Sequence, residues 1–408
     1  MAVRHIALWL IFGLASACGS SSRAQQSDQN GPGFNVGKYG AGGDVTCDGG
    51  IASLTADQVQ ALQSASCAGW SHEGELLPAL LDFVVDVSGS MGLKSLTSAN
   101  QTKWDITRNS LKTTLDSLPG STAVGMLLFP NRSTQRSTTG MPLDVTECVN
   151  ASAMLAIDLL GAAGSTQRSA LAAGLDAAKI TGGTPTDDAY EYELANNMKT
   201  SKLMGQRFMV LITDGQPTFL KGCMGTGSTS DPVDDRPIVA AIKDAWDKSG
   251  IKTFIIGSPG SEAQASTGAD GRGWLSQAAQ VGHTPLTPTC SNSGPNYCHF
   301  DMSQVPDFAT GFSDALAQIA GQVVSCSYSI PSPPQGQILD LTKVNVVFKT
   351  GAEYSLVLRA NSDACTTGWY LDDNNIALCS ETCKQAKADP MSSLDLLFGC
   401  ATVAIPLN

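Results

Sequence analysis

The feature that most constrains the fold is a stretch at residues 80–90, which reads Leu-Leu-Asp-Phe-Val-Val-Asp-Val-Ser-Gly-Ser. Its first half is apolar and rich in β-branched residues, which is typical of a strand buried on both faces of a parallel sheet. Its second half places Asp86, Ser88 and Ser90 at alternate positions, and Gly89 lets the backbone bend so that their oxygens can converge. Oxygen ligands in a tight loop suit a hard divalent cation such as Mg²⁺.

Strand-like and helix-like segments alternate over the following 240 or so residues. The apolar runs that predict strands lie at residues 80–86, 123–129, 208–213 and 251–256. Between them, apolar residues recur at spacings of three and four, as they do in amphipathic helices. This alternation predicts an α/β fold, with a doubly wound and mostly parallel sheet flanked by helices. The interval 151–180 is predicted to be further helical sequence.

A second carboxylate, Asp214, directly follows the predicted strand at 208–213, and a Gly-Gly-Thr turn occupies residues 182–184. Ligands of open α/β sheets bind beyond the carboxyl ends of the strands, near the point where the strand order reverses. We therefore expect Thr184 and Asp214 to lie close to the loop at residues 86–90.

In this order and context, the motifs Asp-Val-Ser-Gly-Ser, Gly-Gly-Thr and Ile-Thr-Asp-Gly resemble the metal-ion-dependent adhesion site (MIDAS) of a von Willebrand factor type A domain. The resemblance covers about residues 79–322. It implies that the metal is held, directly or through water, by Asp86, Ser88, Ser90, Thr184 and Asp214. It further implies that this metal is Mg²⁺, with Mn²⁺ or Ca²⁺ as alternatives, and that it captures a protein ligand presenting a carboxylate.

Some members of this set have alternative interpretations. Thr166 and Thr186 compete with Thr184 for the threonine position. We favour Thr184 because the glycine pair before it and the helical sequence after it match the family pattern better. Thr166 precedes what reads as an additional helix, which departs from the simplest form of the family. Taken alone, Ser90 could cap a helix, and Asp214 could belong to an ordinary turn.

The N-terminal segment has the features of an export signal. In residues 1–17, Arg4 supplies a positive charge, an apolar core follows, and small residues precede Cys18. The apolar core is too short to span a bilayer as a helix. The sequence Leu-Ala-Ser-Ala-Cys at 14–18 also resembles a bacterial lipobox, which implies a lipidated Cys18 and a membrane anchor. Because Gly19 follows, the resemblance implies the outer membrane; the alternative is an ordinary cleaved signal peptide and a secreted chain.

The rest of the chain is predicted to divide into four parts: a flexible tether at 18–45, a cysteine-bracketed segment at 46–78, the type A domain at 79–325 and a cysteine-rich β-type module at 326–408. The tether is rich in Gly, Ser, Gln and Asn. The bracketed segment contains a predicted helix near residues 56–63. The last part begins with Cys-Ser-Tyr-Ser-Ile-Pro, which resembles the C-terminal extensions of type A lipoproteins from Gram-negative bacteria.

The chain contains 12 cysteines, which imply disulfides in an exported protein. Short separations favour the pairs Cys47–Cys67 and Cys290–Cys298, with longer-range pairings as the alternative. The Cys-x-x-x-Cys spacing at residues 379–383 could also bind zinc. Because no histidine lies near it in sequence, we expect disulfides there as well.

Charge and histidine usage narrow the classes of function. The formal net charge of -12 argues against nucleic acid as a partner, because no basic surplus is available to neutralise phosphates. The histidines are scattered, and the sequence places no general base beside the predicted metal. We therefore predict an envelope-anchored binding or adhesion protein, not an enzyme. The alternatives are a hydrolase that uses the same metal and a structural envelope component whose fold the metal stabilises.

Overall fold

The computed structural model divides the chain into two compact units, one formed by residues 1–76 with 326–408 and the other by residues 77–325. The residues it describes are 47–48, 51–55, 59, 70–95, 101–131, 144–218, 234–262, 270–323, 326–350, 353–361, 365–372, 375–388 and 392–399. The predicted signal peptide, Cys18 and the whole of the predicted tether lie outside these ranges. Of the described helices, none combines the length and the apolar character needed to cross a membrane.

The elements are numbered here in chain order. The strands are β1 (Cys47–Asp48), β2 (Ile51–Leu54), β3 (Ser71–Glu73), β4 (Glu75–Leu76), β5 (Ala79–Asp86), β6 (Ala123–Phe129), β7 (Leu155–Leu159), β8 (Gln206–Thr213), β9 (Lys252–Gly257), β10 (Phe300–Asp301), β11 (Ser327–Ser329), β12 (Val344–Thr350), β13 (Glu353–Val357), β14 (Trp369–Asp372), β15 (Asn375–Leu378) and β16 (Ser393–Phe398). The α-helices are α1 (Lys103–Ser117), α2 (Val145–Cys148), α3 (Thr166–Asp176), α4 (Thr186–Glu193), α5 (Arg236–Ser249), α6 (Arg272–Val281), α7 (Phe308–Val323) and α8 (Ser380–Ala388). Tighter 3₁₀ turns lie at Gly89–Gly92, Ala151–Ala153 and Met302–Gln304, and a π-helical turn at Leu194–Met198.

The unit at 77–325 is built around a six-stranded sheet in the order β10-β9-β8-β5-β6-β7. All neighbouring strands are parallel except β6 and β7, which are antiparallel. Every residue of the central strand β5 is buried, as expected for a parallel strand covered on both faces. This arrangement confirms the predicted doubly wound, mostly parallel α/β fold.

Helices cover both faces of this sheet, and alternate residues of β5 enter two different cores. On one face Phe83 belongs to a core that includes Leu111 of α1 and Phe312 of α7. On the other face Val84 belongs to a core that includes Tyr190 of α4. Successive side chains of a strand point to opposite faces, so both faces of β5 must be apolar. The continuous apolar run in the sequence follows from this requirement.

The interval 151–180 differs from the sequence prediction. The structure forms β7 there, pairs it antiparallel to β6, and only then begins α3. β7 lies at the edge of the sheet, and Ile157 is the one buried residue among its five. A strand this short and this exposed carries too little alternation to be recognised from sequence. The prediction of further helical sequence was therefore wrong for residues 155–159 and correct for α3.

The other unit contains two antiparallel sheets, in the orders β1-β2-β13-β12-β16-β3 and β14-β15-β11-β4. Both sheets contribute to one core, in which Val346 of β12 and Trp369 of β14 take part. The strands of segment 46–78 pair with strands of 326–408, so the two parts that the sequence separates are joined in shared sheets. The predicted helix near residues 56–63 lies outside the described residues apart from Val59.

Disulfides connect distant parts of the chain in the C-terminal region. The expected disulfides at 379 and 383 are confirmed, although each cysteine pairs with a partner elsewhere, in Cys365–Cys379 and Cys326–Cys383. The predicted pair Cys290–Cys298 is also confirmed, in the α/β unit. The predicted partner of Cys47, Cys67, lies outside the described residues. A β module with its own disulfides therefore follows the α/β unit, as the sequence predicts.

Candidate metal site

The loop after β5 gathers three of the predicted ligands. Asp86 is the last residue of the strand and is 0% exposed. The backbone amide of Ser88 donates to Asp86 Oδ1 over 2.7 Å, which turns the chain back toward the carboxylate. The hydroxyl oxygens of Ser88 and Ser90 are 3.0 Å apart. The turn at Gly89–Gly92 therefore places one carboxylate and two hydroxyls within a few ångströms of one another.

The neighbouring strand β8 contributes the fourth residue. β5 and β8 are parallel and in register, with Val85 opposite Ile212, so both strands end at the same edge of the sheet. Asp214 follows β8, and the Ser90 hydroxyl donates to its Oδ1 over 2.9 Å. The hydroxyl of Thr213 donates to Asp86 Oδ2 over 2.8 Å. Side chains from two strands thus meet at the carboxyl edge, where an α/β sheet binds its ligands.

Thr184 lies in the loop beside this group. The Gly89 amide donates to the Gly182 carbonyl over 3.1 Å, which holds the loop of Thr184 against the metal loop. The Thr184 amide donates to the Thr218 hydroxyl over 2.7 Å, and Thr184 is largely buried. Among the described residues, no hydrogen bond joins the Thr184 hydroxyl to the other four predicted ligands. The structure therefore assembles four members directly and places Thr184 on the adjoining loop.

The two competing threonines are directed elsewhere. Before α3, the Leu160 amide donates to the Thr122 carbonyl, at the amino end of β6. Thr166, which begins α3, therefore follows a loop at the amino ends of the strands, whereas Asp86 lies at their carboxyl ends. Thr186 is fully buried, and its hydroxyl donates to the Thr184 carbonyl over 3.4 Å.

The electrostatics of the site favour a bound cation. Burial, together with the nearby charge of Asp214, raises the pKa of Asp86 to about 7, against the opposing hydrogen bonds from Ser88 and Thr213. A divalent cation would compensate the repulsion between the two carboxylates. The donor set contains carboxylate and hydroxyl oxygens without sulfur or nitrogen, and Mg²⁺ and similar hard cations prefer such ligands. The residues present therefore fit a divalent metal.

Sequence reasoning missed two residues of this site. Thr213 lies in the Ile-Thr-Asp-Gly motif, but the sequence analysis gives no role to its hydroxyl, which donates to Asp86. Lys103, the first residue of α1, is 6% exposed and forms an ion pair with Asp214 Oδ2. Its Nζ also donates to the Pro259 carbonyl over 2.8 Å. A cation in the first turn of a helix opposes the helix dipole, and this is the signal in the sequence that could have singled out Lys103.

No family model matches this chain, and no curated protein matches it. The fold is similar to those of solved structures at low sequence identity. They include the pilus adhesin SpaC from Lactobacillus rhamnosus GG, at 14% identity over 86% of this chain and 41% of that chain, with a TM-score of 0.42. They also include the vWF domain of the type V pili tip protein Mfa5 from Porphyromonas gingivalis, at 9% identity over 61% of this chain and 96% of that one, with a TM-score of 0.38.

A third similar structure is proximal thread matrix protein 1 from the mussel byssus with a zinc-occupied MIDAS motif. It is 13% identical over 63% of this chain and 50% of that chain, with a TM-score of 0.35. The chain spans about two fifths of the length of the SpaC chain that it matches.

Proposed function

We propose that this chain is an exported binding protein, anchored in the cell envelope, that captures a protein ligand through a divalent metal. The metal would be held by Asp86, Ser88, Ser90, Thr184 and Asp214. The observation that carries the proposal is the convergence of carboxylate and hydroxyl oxygens from two adjacent strand ends, where Ser90 bridges from the loop of β5 to Asp214 after β8.

The site combines a fixed interior with an accessible rim. Asp86 is fully buried, and hydrogen bonds from Ser88 and Thr213 fix both of its oxygens. Gly89 is exposed at the turn, and the Leu93 side chain beyond it is 62% exposed. A protein ligand can therefore approach the hydroxyl side of the site from solvent.

The proportion of neutral ligands supports binding by a carboxylate. Two of the five proposed ligands are acidic and three are hydroxyls. The negative charge of the ligands therefore does not exceed the positive charge of a divalent cation. A bound Mg²⁺ would retain the capacity to attract a carboxylate of the ligand.

Lipidation of Cys18 would fix the chain to the outer membrane, and labelling the wild type and Cys18→Ser with a radioactive fatty acid tests that part of the proposal.

Metal binding is tested with the full chain by isothermal titration calorimetry with Mg²⁺ and Mn²⁺. We expect saturable binding by the wild type, loss of that binding in Asp86→Ala, and retention in Asp176→Ala. Asp176 is a suitable control because it is an exposed carboxylate of the same unit, where it pairs with Lys112. Circular dichroism would show that the variants are folded.

Ligand capture is tested with a phage-displayed library of random peptides, selected on the immobilised chain in Mg²⁺ and eluted with EDTA. The wild type should enrich peptides that contain Asp or Glu, and replacing these residues with Asn or Gln should abolish their binding. Asp86→Ala should enrich none of them. Binding that persists in EDTA, or that does not depend on a peptide carboxylate, would contradict the proposed mechanism.

A further inference from the structure

We propose that Lys103 is a resident counter-cation of the metal site, which competes with the divalent metal for Asp214 and sets the metal affinity. The inference rests on the proposed metal site and concerns how that site is regulated. Its basis is the buried ion pair between Lys103 Nζ and Asp214 Oδ2. The same Asp214 accepts a hydrogen bond from Ser90 on its other oxygen, so both of its oxygens are engaged within the site.

The position of Lys103 in its helix is unfavourable for a cation. α1 begins with a capping box, in which Thr102 and Asp105 exchange hydrogen bonds. The first turn of a helix carries partial positive charge, which stabilises Asp105 and destabilises a lysine. Lys103 nevertheless lies one residue after the cap. A lysine at this position is expected only where another interaction compensates for the helix dipole.

Burial of the ammonium needs a similar explanation. Lysine side chains usually extend until the ammonium reaches water, whereas Lys103 is almost fully buried. Two acceptors compensate, since Nζ binds Asp214 and also donates to the Pro259 carbonyl over 2.8 Å.

The loop after β9 is shaped around this ammonium. Gly260 has a φ of +113°, and a Cβ added there would lie 3.0 Å from Lys103 Nζ. The loop is anchored to the strand of the metal site, because the Ser258 amide donates to the Thr213 carbonyl over 2.8 Å. A specific pocket therefore holds the ammonium beside Asp214.

The charges then decide the effect on the metal. Asp86 and Asp214 carry two negative charges when ionised, and Lys103 cancels one of them. A divalent cation must share Asp214 with the ammonium or displace it, and the two cations repel each other at short range. Lys103 should therefore stabilise the metal-free protein and weaken its affinity for metal, so that binding depends more strongly on a carboxylate from the ligand.

The test compares the full-length wild type with Lys103→Met, which keeps the aliphatic length and removes the charge. Lys112→Met is the matched control, since Lys112 lies in the same helix and forms an exposed ion pair with Asp176. Lys103→Arg retains the charge. For each protein, the Mn²⁺ dissociation constant is measured by calorimetry, and the melting temperature is measured in EDTA and in Mn²⁺.

We expect Lys103→Met to bind Mn²⁺ at least about tenfold more tightly than the wild type and to melt at a lower temperature in EDTA. Mn²⁺ should raise its melting temperature more than it raises that of the wild type. Lys112→Met should match the wild type in all three measurements, and Lys103→Arg should keep the weaker metal affinity. If Lys103→Met does not fold, Lys103→Gln carries the same expectation for affinity.

The outcomes separate this inference from the proposed function. If the wild type binds Mn²⁺ and Lys103→Met binds it equally or more weakly, Lys103 has only a structural role and the inference is overturned. If the wild type binds no metal and Lys103→Met does, the inference stands and the proposed function of the wild type fails. If no variant binds metal, both are overturned.

Discussion

Two aspartates on the central strand β5 show two ways of burying a carboxylate. Asp82 and Asp86 are four residues apart, and each is 0% exposed. Asp86 lies at the carboxyl edge, where the Ser88 amide and the Thr213 hydroxyl donate to it. Lys103 forms an ion pair with the neighbouring Asp214. Asp82 lies in the middle of the sheet, inside the core. The same residue type on the same strand therefore meets different chemistry at the edge and in the interior.

The interior carboxylate depends on an amide and a second acid. The Asn197 amide nitrogen donates to Asp82 Oδ1 over 3.2 Å and to Glu193 Oε1 over 2.7 Å. The Asn197 oxygen accepts from the Ile157 backbone amide over 2.9 Å. Burial, followed by the charge of Glu193, raises the pKa of Asp82 well above its usual value, and burial raises the pKa of Glu193 to about 7. Both shifts favour the protonated forms, so the pair retains protons to a higher pH than isolated carboxylates do.

The contrast comes from the space around each carboxylate. A Cβ added at Gly125 would lie 2.7 Å from Asp82 Oδ1 and 2.6 Å from Asn197 Nδ2, so this region is closely packed. A proton can enter such a region, and it neutralises a buried acid without a larger cation. At the edge, the turn after Asp86 reaches solvent. The interior acid is thus enclosed by the core, whereas the edge acid is accessible to the proposed metal.

The largest expected effect on stability is at Asn197, which binds the interior carboxylate of Asp82 and has no contact with the edge carboxylate of Asp86 in the hydrogen bonds described. Asn197→Ala should destabilise the protein by about 3 kcal/mol, because Asp82, Glu193 and the Ile157 amide would lose their shared partner in the core. Urea unfolding in EDTA measures this loss. Asn196→Ala is the control, because Asn196 is exposed and should change the free energy of unfolding by less than about 0.5 kcal/mol. If Asn197→Ala loses less than about 1 kcal/mol of unfolding free energy, the interior carboxylates do not depend on Asn197 as described.

The second effect concerns pH. Because the pKa of Glu193 is raised to about 7, the folded protein binds more protons than the unfolded protein at mildly acidic pH. The stability contributed by this proton is present at low pH and is lost as the pH rises through about 7. In Glu193→Gln, the loss of unfolding free energy between pH 5 and pH 9 should be smaller than in the wild type by about 2 kcal/mol.

Urea midpoints at the two pH values, with EDTA present throughout, measure this difference. Glu147 is exposed, and Glu147→Gln should reproduce the wild-type dependence. Parallel pH profiles for the wild type and Glu193→Gln would show that the pKa of Glu193 is not raised in the folded protein.

The smallest expected change in the free energy of unfolding is at two fully buried threonines on adjacent strands, Thr213 and Thr253. The Thr213 hydroxyl donates to Asp86, and the Thr253 hydroxyl forms a 2.7 Å hydrogen bond with Tyr190. Each Thr→Val change should cost about 1 kcal/mol. Thr213→Val should also weaken Mn²⁺ binding by about tenfold, because the hydroxyl orients a proposed ligand, whereas Thr253→Val should leave it unchanged. Equal metal affinities in calorimetry would contradict this role of Thr213.

Much of the α/β unit was predictable because its signals are local. The strands β6, β8 and β9 appear in the sequence as continuous apolar runs that end at proline, aspartate or glycine. The strand β7 was missed because only one of its five residues is buried, which leaves no clear alternation in the sequence. The disulfide pair Cys290–Cys298 was predictable because short loops bring their ends together readily. The long-range pair Cys326–Cys383 has no comparable local signal.

The sequence alone determined the strand that ends at Asp86 and the order of the motifs that predict a metal site, because these depend on residues close together in the chain. Only the tertiary structure decided that Lys103 lies beside Asp214 and Thr213 beside Asp86, and that Asp82 shares Asn197 with Glu193. The contacts of Lys103 with Asp214, Thr213 with Asp86 and Asn197 with Asp82 join residues more than 100 positions apart. They depend on strand register and on the placement of the helices across the sheet, and no short stretch of sequence specifies either.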